Sequence, residues 1–228
     1  MILAAIGGIH GNLPALEAAL GEIEAAGIQT ILNTGDSVAG FPWPNETVAL
    51  LQSHGVVSVQ GNFDRLAVRF GRKRAAMERR LDPAAAGVLA WTHEHCRGAT
   101  LEYLRTLPKT QHIRLEGIGI FLCHGHAQSQ SANLAADSPA GLFQRQREAV
   151  ECGLFVCGAA PAPFARETMG TLFVNPGPLA PLSGELGAAQ YALINTETAP
   201  WEASFHKAEY DAGKAEDALA AAGLSRFR

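Results

Sequence analysis

The chain has 228 residues, 47% of them hydrophobic and 18% charged, with 18 Lys+Arg against 22 Asp+Glu for a net charge of −4. That composition can bury a substantial core and excludes a disordered chain, while the acidic balance excludes a globally basic nucleic-acid coat. No apolar run approaches the roughly 18–20 residues that a membrane span needs, so no membrane partner is expected.

Residues 2–6 form a short apolar run without a positive flank that leads straight into Gly7-Gly8, and they read as a first strand rather than a secretory signal. Leu16, Leu20, Ile23 and Ala26 then recur at helical spacing, which predicts a helix from Pro14 to Ala26. A second strand is expected over 29–33, ending at Thr34-Gly35-Asp36. Asn45 is expected to cap a helix reaching Ser53, and a third strand to run over 56–59 into Gly61-Asn62-Phe63-Asp64. Asp82-Pro83 combines an N-cap with a proline at the first helical position and opens a helix to about Cys96. Leu101, Leu104 and Leu107 suggest a short helix stopped by Pro108; 111–115 and 118–123 flank Glu116-Gly117 as a hairpin ending at His124-Gly125-His126. Ser138-Pro139 starts another helix, to about Cys152. Strands are expected over 153–157, 164–168, 171–175, 189–194 and 201–206, with a closing helix from Asp211 to Ala222. No linker or repeat interrupts this order, so residues 1–228 are read as one domain. Cys96, Cys123, Cys152 and Cys157 show no CxxC spacing, which suits reduced thiols in a cytoplasmic protein.

His10, Asp36, Asn62 and His124 each stand just beyond a predicted strand. In an open parallel sheet, loops at the carboxyl ends of strands gather around ligands. Imidazole, carboxylate and amide oxygen converging there suit a divalent cation such as Mn²⁺, Zn²⁺ or Mg²⁺. Arg65 and the helix start near Asn12 add donors for an anion, so Asn12, Asn62 and Arg65 are the expected phosphate contacts. Arg69, Arg72, Lys73, Arg74, Arg79 and Arg80 form a basic stretch that reads as a solvated helical face or mobile insert, or else as an arm for a phosphate-bearing ligand or nucleic acid, although a nucleic-acid partner is not expected of the chain.

The string Ile6-Gly7-Gly8-Ile9-His10-Gly11-Asn12 resembles the I-S-D-I-H-G-N opening of calcineurin-like metallophosphoesterases. Gly35-Asp36 is similar to their second block, Gly61-Asn62-Phe63-Asp64 to their G-N-H-D block, and His124-Gly125 to their later single-histidine block. Gly158-Ala159-Ala160-Pro161 falls where the family writes G-H-T-H, and Asn175-Pro176-Gly177-Pro178 resembles its N-P-G-S turn. The look is that of the small bacterial phosphodiesterase branch. The resemblance implies an α/β fold, a four-layer α/β/β/α sandwich of two mixed β-sheets flanked by helices, and a metal-dependent phosphoester hydrolase acting on a phosphate-bearing small molecule or nucleotide.

Carried over residue by residue, the same resemblance implies damage. The family's first metal would use positions 8, 10, 36 and 161, occupied here by Gly8, His10, Asp36 and Pro161; its second would use 36, 62, 124 and 159, where Ala159 stands. The histidine that protonates the leaving group falls on Phe63. The expectation is at most one weakly held divalent metal at Asp36, Asn62 and His124, with His126 the one nearby substitute ligand. Activity is expected to be weak or lost; the alternative is a non-catalytic phosphate- or nucleotide-binding relative, or a protein scaffold.

Overall fold

A computed structural model describes residues 1–226. Sheet A takes β1 (Ile2–Ile6), β2 (Ile31–Asn33), β3 (Val57–Ser58), β9 (Ala188–Asn195) and β10 (Glu202–Glu209), in the order β10-β9-β1-β2-β3. Sheet B takes β4 (Thr110–Leu115), β5 (Ile118–Cys123), β6 (Leu154–Val156), β7 (Phe164–Thr168) and β8 (Thr171–Asn175), in the order β4-β5-β6-β8-β7. Both sheets are mixed. In sheet A the β1–β2 and β2–β3 pairs run parallel and β9 joins β1 antiparallel; in sheet B, β5–β6 and β6–β8 run parallel between antiparallel edges.

The alternation of side chains along β1 shows how the layers form, because successive residues of a strand face opposite ways. Leu3 and Ala5 pack against Leu122, Leu154 and Val174 of sheet B, in the layer between the sheets. Ala4 and Ile6 face the other way, onto Leu16, Ala19, Ala215 and Leu219 from α1 (Leu13–Ala25) and α7 (Ala212–Ala221). On the far side, Phe121, Phe155 and Phe173 of sheet B meet Phe143 of α6 (Ala140–Ala149). The result is the expected α/β/β/α order. Near the β3 edge, α2 (Pro44–Ser53), α3 (Asn62–Glu78), α4 (Pro83–His95) and α5 (Gly98–Thr106) share a further cluster around Phe70, Leu89 and Leu104.

One expectation changes. Asn45 is not the cap of α2; Trp43 holds that place, because Pro44 with its preset φ begins the helix. Asn45 instead clamps the α4–α5 junction, donating to the His95 carbonyl at 2.9 Å and accepting from Arg97 N at 2.7 Å and Thr100 Oγ1 at 2.8 Å. The basic stretch lies on α3 and just past it. Phe70 and Met77 are buried while Arg69, Arg72, Lys73 and Arg74 point to solvent, with a kink at Lys73 (φ −128°, ψ 17°). Asp82 caps α4 as expected, accepting from Ala84 N at 2.9 Å. Among the described residues no helix is long and apolar enough to cross a membrane.

Candidate functional site

The loops after β1, β2, β5 and β6 meet at one edge and, with Phe63 at the start of α3, line a cavity of about 380 Å³. Gly8 N donates to the Gly35 carbonyl at 2.9 Å, His10 N to the Asp36 carbonyl at 2.9 Å and Gly11 N to the Ser37 carbonyl at 2.8 Å, so the first two loops are zipped together. His10 (φ 54°), Asp36 (φ 57°) and Ala159 (φ 62°) all sit in the left-handed region that L-residues rarely adopt, and all three line the cavity. Such conformations persist where the surroundings over-determine them, and they cluster at ligand-holding sites.

What over-determines the second loop is Asp64. Its carboxylate is fully buried and accepts from Asp36 N at 2.9 Å, Ser37 N at 2.8 Å, Val38 N at 3.2 Å and Gly61 N at 2.9 Å. Burial and then the Asp36 charge push the Asp64 carboxyl up to about 6, against the Gly61 and Val38 amides that hold it down. Gly61 has no room for a side chain, since a Cβ there would collide with the backbone and carboxylate of Asp36.

Asp36 is held from both sides. Phe63 N donates to its Oδ1 at 2.7 Å, and His124 Nε2 lies 3.3 Å from its Oδ2. His124 Nδ1 donates to the Thr34 carbonyl at 2.8 Å, which leaves Nε2 turned to the carboxylate. Burial alone would lower the His124 imidazole, but Asp36 beside it outweighs that and raises it to about 9. Burial works to raise the Asp36 carboxyl, and the His124 and His10 rings with the Phe63 amide more than reverse it, leaving it below the usual carboxylate range. His10 is lowered by burial despite Asp36. The Phe63 ring meets the His10 ring edge to face, centroids 5.4 Å apart at 88°.

Of the expected site residues, the structure brings His10, Asp36 and His124 together in the cavity. Asn62 is turned away: its Nδ2 donates to the Gln130 carbonyl at 3.3 Å, and its Oδ1 accepts from Ser131 Oγ at 3.1 Å and Arg65 Nη2 at 3.3 Å. It ties the 128–132 loop to α3, and Arg65 goes with it. Asn12 is fully buried as the cap of α1, accepting from Ala15 N at 3.2 Å and donating to Tyr210 Oη at 3.2 Å, so its side chain has no route to a ligand. His126 is bridged to Ser129 and is absent from the cavity lining. Of the rim residues, Pro178 ends the Asn175-Pro176-Gly177-Pro178 turn motif, while Pro181 and Leu182 carried no sequence signal, since they lie in an irregular stretch without periodicity.

The donor set does not fit a two-metal centre. Positions 8, 159 and 161 offer no ligand, Asn62 Oδ1 is already shared between two donors, and Asp36 and His124 face each other directly. Among the described residues, no group of three or more His, Cys, Asp and Glu side chains is arranged to hold an ion.

The two mixed sheets and the loops at their shared edge define the class, and comparison with known proteins places the chain within it. Residues 1–199 match the calcineurin-like phosphoesterase superfamily domain, and the chain belongs to that family. An uncharacterised protein of Methanocaldococcus jannaschii is 30% identical over 125 residues, covering 55% of this chain and 49% of that protein, so the match spans about half of the curated relative. A hypothetical protein of Pyrococcus horikoshii superposes with a TM-score of 0.88 at 24% identity, covering 98% of this chain and 94% of its own. A metallophosphoesterase from Sphaerobacter thermophilus gives a TM-score of 0.77 at 24% identity, covering 99% and 95%. These structures share the fold.

Proposed function

We propose that this member of the metallophosphoesterase family has weak or no hydrolytic turnover and uses its remaining cavity to bind a ligand. One observation carries the reading: Gly8, Phe63, Ala159 and Pro161, which stand at three ligand positions and the general-acid position of the family pattern, all line the same cavity. Their losses coincide in space as well as in sequence. A missing general acid alone lowers a rate by about 10²–10⁴-fold. Loss of the ions also removes the Lewis acid and the source of nucleophile in a two-metal mechanism. The Asp36–His124 contact satisfies the remaining charges without an ion.

The test is hydrolysis of bis(p-nitrophenyl) phosphate with added Mn²⁺, comparing the unmodified chain with Asp36→Ala after both are checked for folding by circular dichroism. The two are expected to give the same background rate. Metal-dependent turnover that Asp36→Ala abolishes would overturn the reading.

A further inference from the structure

We propose that the cavity binds a flat, uncharged nitrogen heterocycle with an amino edge, and that it does so without metal. The proposal rests on the reading of the cavity as a binding site and names the ligand's chemistry.

Charge comes first. Among the described residues the only carboxylate in the lining is Asp36, and His124 stands against it at 3.3 Å, so their charges offset each other. No lysine or arginine is among the described lining residues. Arg226 donates to the Pro181 carbonyl at 3.2 Å and is not itself among the lining residues. A phosphate entering the cavity would therefore meet a carboxylate with no lysine or arginine among the described lining residues to pair with, an arrangement that disfavours anions.

Shape and polarity come next. Phe63, Ala159, Pro161, Pro178 and Leu182 give the cavity apolar walls, and an aromatic ring is a good platform for a flat ligand. The volume of about 380 Å³ lies at the small end of the range of roughly 300–1,000 Å³ for ligand pockets, suiting one bicyclic ring system. Much of the surrounding backbone is already paired: Gly8 N with the Gly35 carbonyl, and the Gly7 and Gly8 carbonyls with Leu179 N and Ala180 N. The Asn175 amide is spent on Ala160, Ala162 and Gly177.

Two buried lining side chains, Asp36 and His10, keep hydrogen-bonding capacity. Asp36 accepts one amide on Oδ1, and its 3.3 Å contact with His124 is looser than the roughly 2.7–2.9 Å of a strong charge-assisted bond, leaving acceptor capacity. His10 is 6% exposed, and its Nε2 lies 3.6 Å from the point that a Cβ on Gly8 would occupy. Pro178 lies 3.1 Å from the same point, so it is the cavity itself, which His10 lines, that offers the imidazole to a ligand. An exocyclic amino group can donate to Asp36 while an adjacent ring nitrogen pairs with His10, and the ring body lies against the apolar walls.

Adenine is the probe, titrated calorimetrically into the full chain in EDTA, with inorganic phosphate as the competitor. Saturable one-site binding is expected, with a Kd on the order of 10–1,000 µM. Phe63→Ala should weaken it about tenfold or more, Leu182→Trp should close the mouth and remove it, and phosphate should not displace it. The proposal is overturned if adenine does not bind up to about 5 mM, if both variants leave binding unchanged, or if phosphate competes. Failure of adenine to bind a chain that also lacks turnover sinks the heterocycle alone; Mn²⁺-dependent hydrolysis sinks the proposed loss of activity, whatever adenine does.

Discussion

Replacing Asp64 by Ala should lower the unfolding free energy at pH 7 by about 4 kcal/mol or more, the largest stability effect expected of any single change near the cavity. Four backbone amides, of Asp36, Ser37, Val38 and Gly61, would lose their acceptor at once. A buried donor left without a partner costs about 1–3 kcal/mol. Water entering the vacated space and relief of the repulsion between Asp64 and Asp36 would return part of that. Asp64→Asn should recover only a fraction, because its NH₂ group would face donors rather than acceptors. Urea unfolding followed by circular dichroism gives the number. A loss below about 1 kcal/mol would mean that these amides do not depend on the carboxylate.

The second large effect is on pH. The folded His124 titrates near 9, above the ordinary imidazole value of 6.5, so the folded state holds this proton more tightly than the unfolded chain. Its contribution is complete below about pH 6.5 and is lost as pH rises through 9, amounting to about 3 kcal/mol for a shift of this size. Asp36, held low, contributes above the ordinary carboxylate range and loses its share as the solution is acidified. Asp64 has the opposite sign to Asp36: raised to about 6, it favours folding below 3.8 and ceases to as pH climbs to 6, outside the His124 window. Stability should therefore decline between pH 6.5 and 9, and His124→Gln should flatten that decline. An unmodified protein equally stable at both ends of the window would show that the pair is not an ion pair.

How much of this was legible in the sequence follows from what each residue responds to. The alternation of Leu3, Ala4, Ala5 and Ile6 encodes two buried faces, and the glycine-rich turns after β1, β2 and β3 encode a loop edge, because both depend on local backbone and burial. The meeting of His10, Asp36 and His124 was readable for the same reason, each standing next to a strand end. Asn62 and Asn12 were not, since their side chains answer to partners distant in sequence, and Arg65 follows Asn62. Asn62 is drawn to Gln130 and Ser131, Asn12 to Tyr210, and Arg65 to Asn62 in turn. Asp64 was visible as part of a motif, but its gathering of four amides depends on how two loops cross. The cavity wall at Pro181 and Leu182 comes from a stretch with no periodicity to read.

The measurement that bears most directly on the central claim is the metal content of the purified chain after saturation with Mn²⁺ and removal of excess ion by desalting, read by emission spectroscopy. Substitution of the ligand positions by Gly8, Ala159 and Pro161, together with the engagement of Asn62 by Ser131 and Arg65, predicts well below one ion per chain. Two ions per chain, lost on Asp36→Ala, would show that a working two-metal centre survives these substitutions.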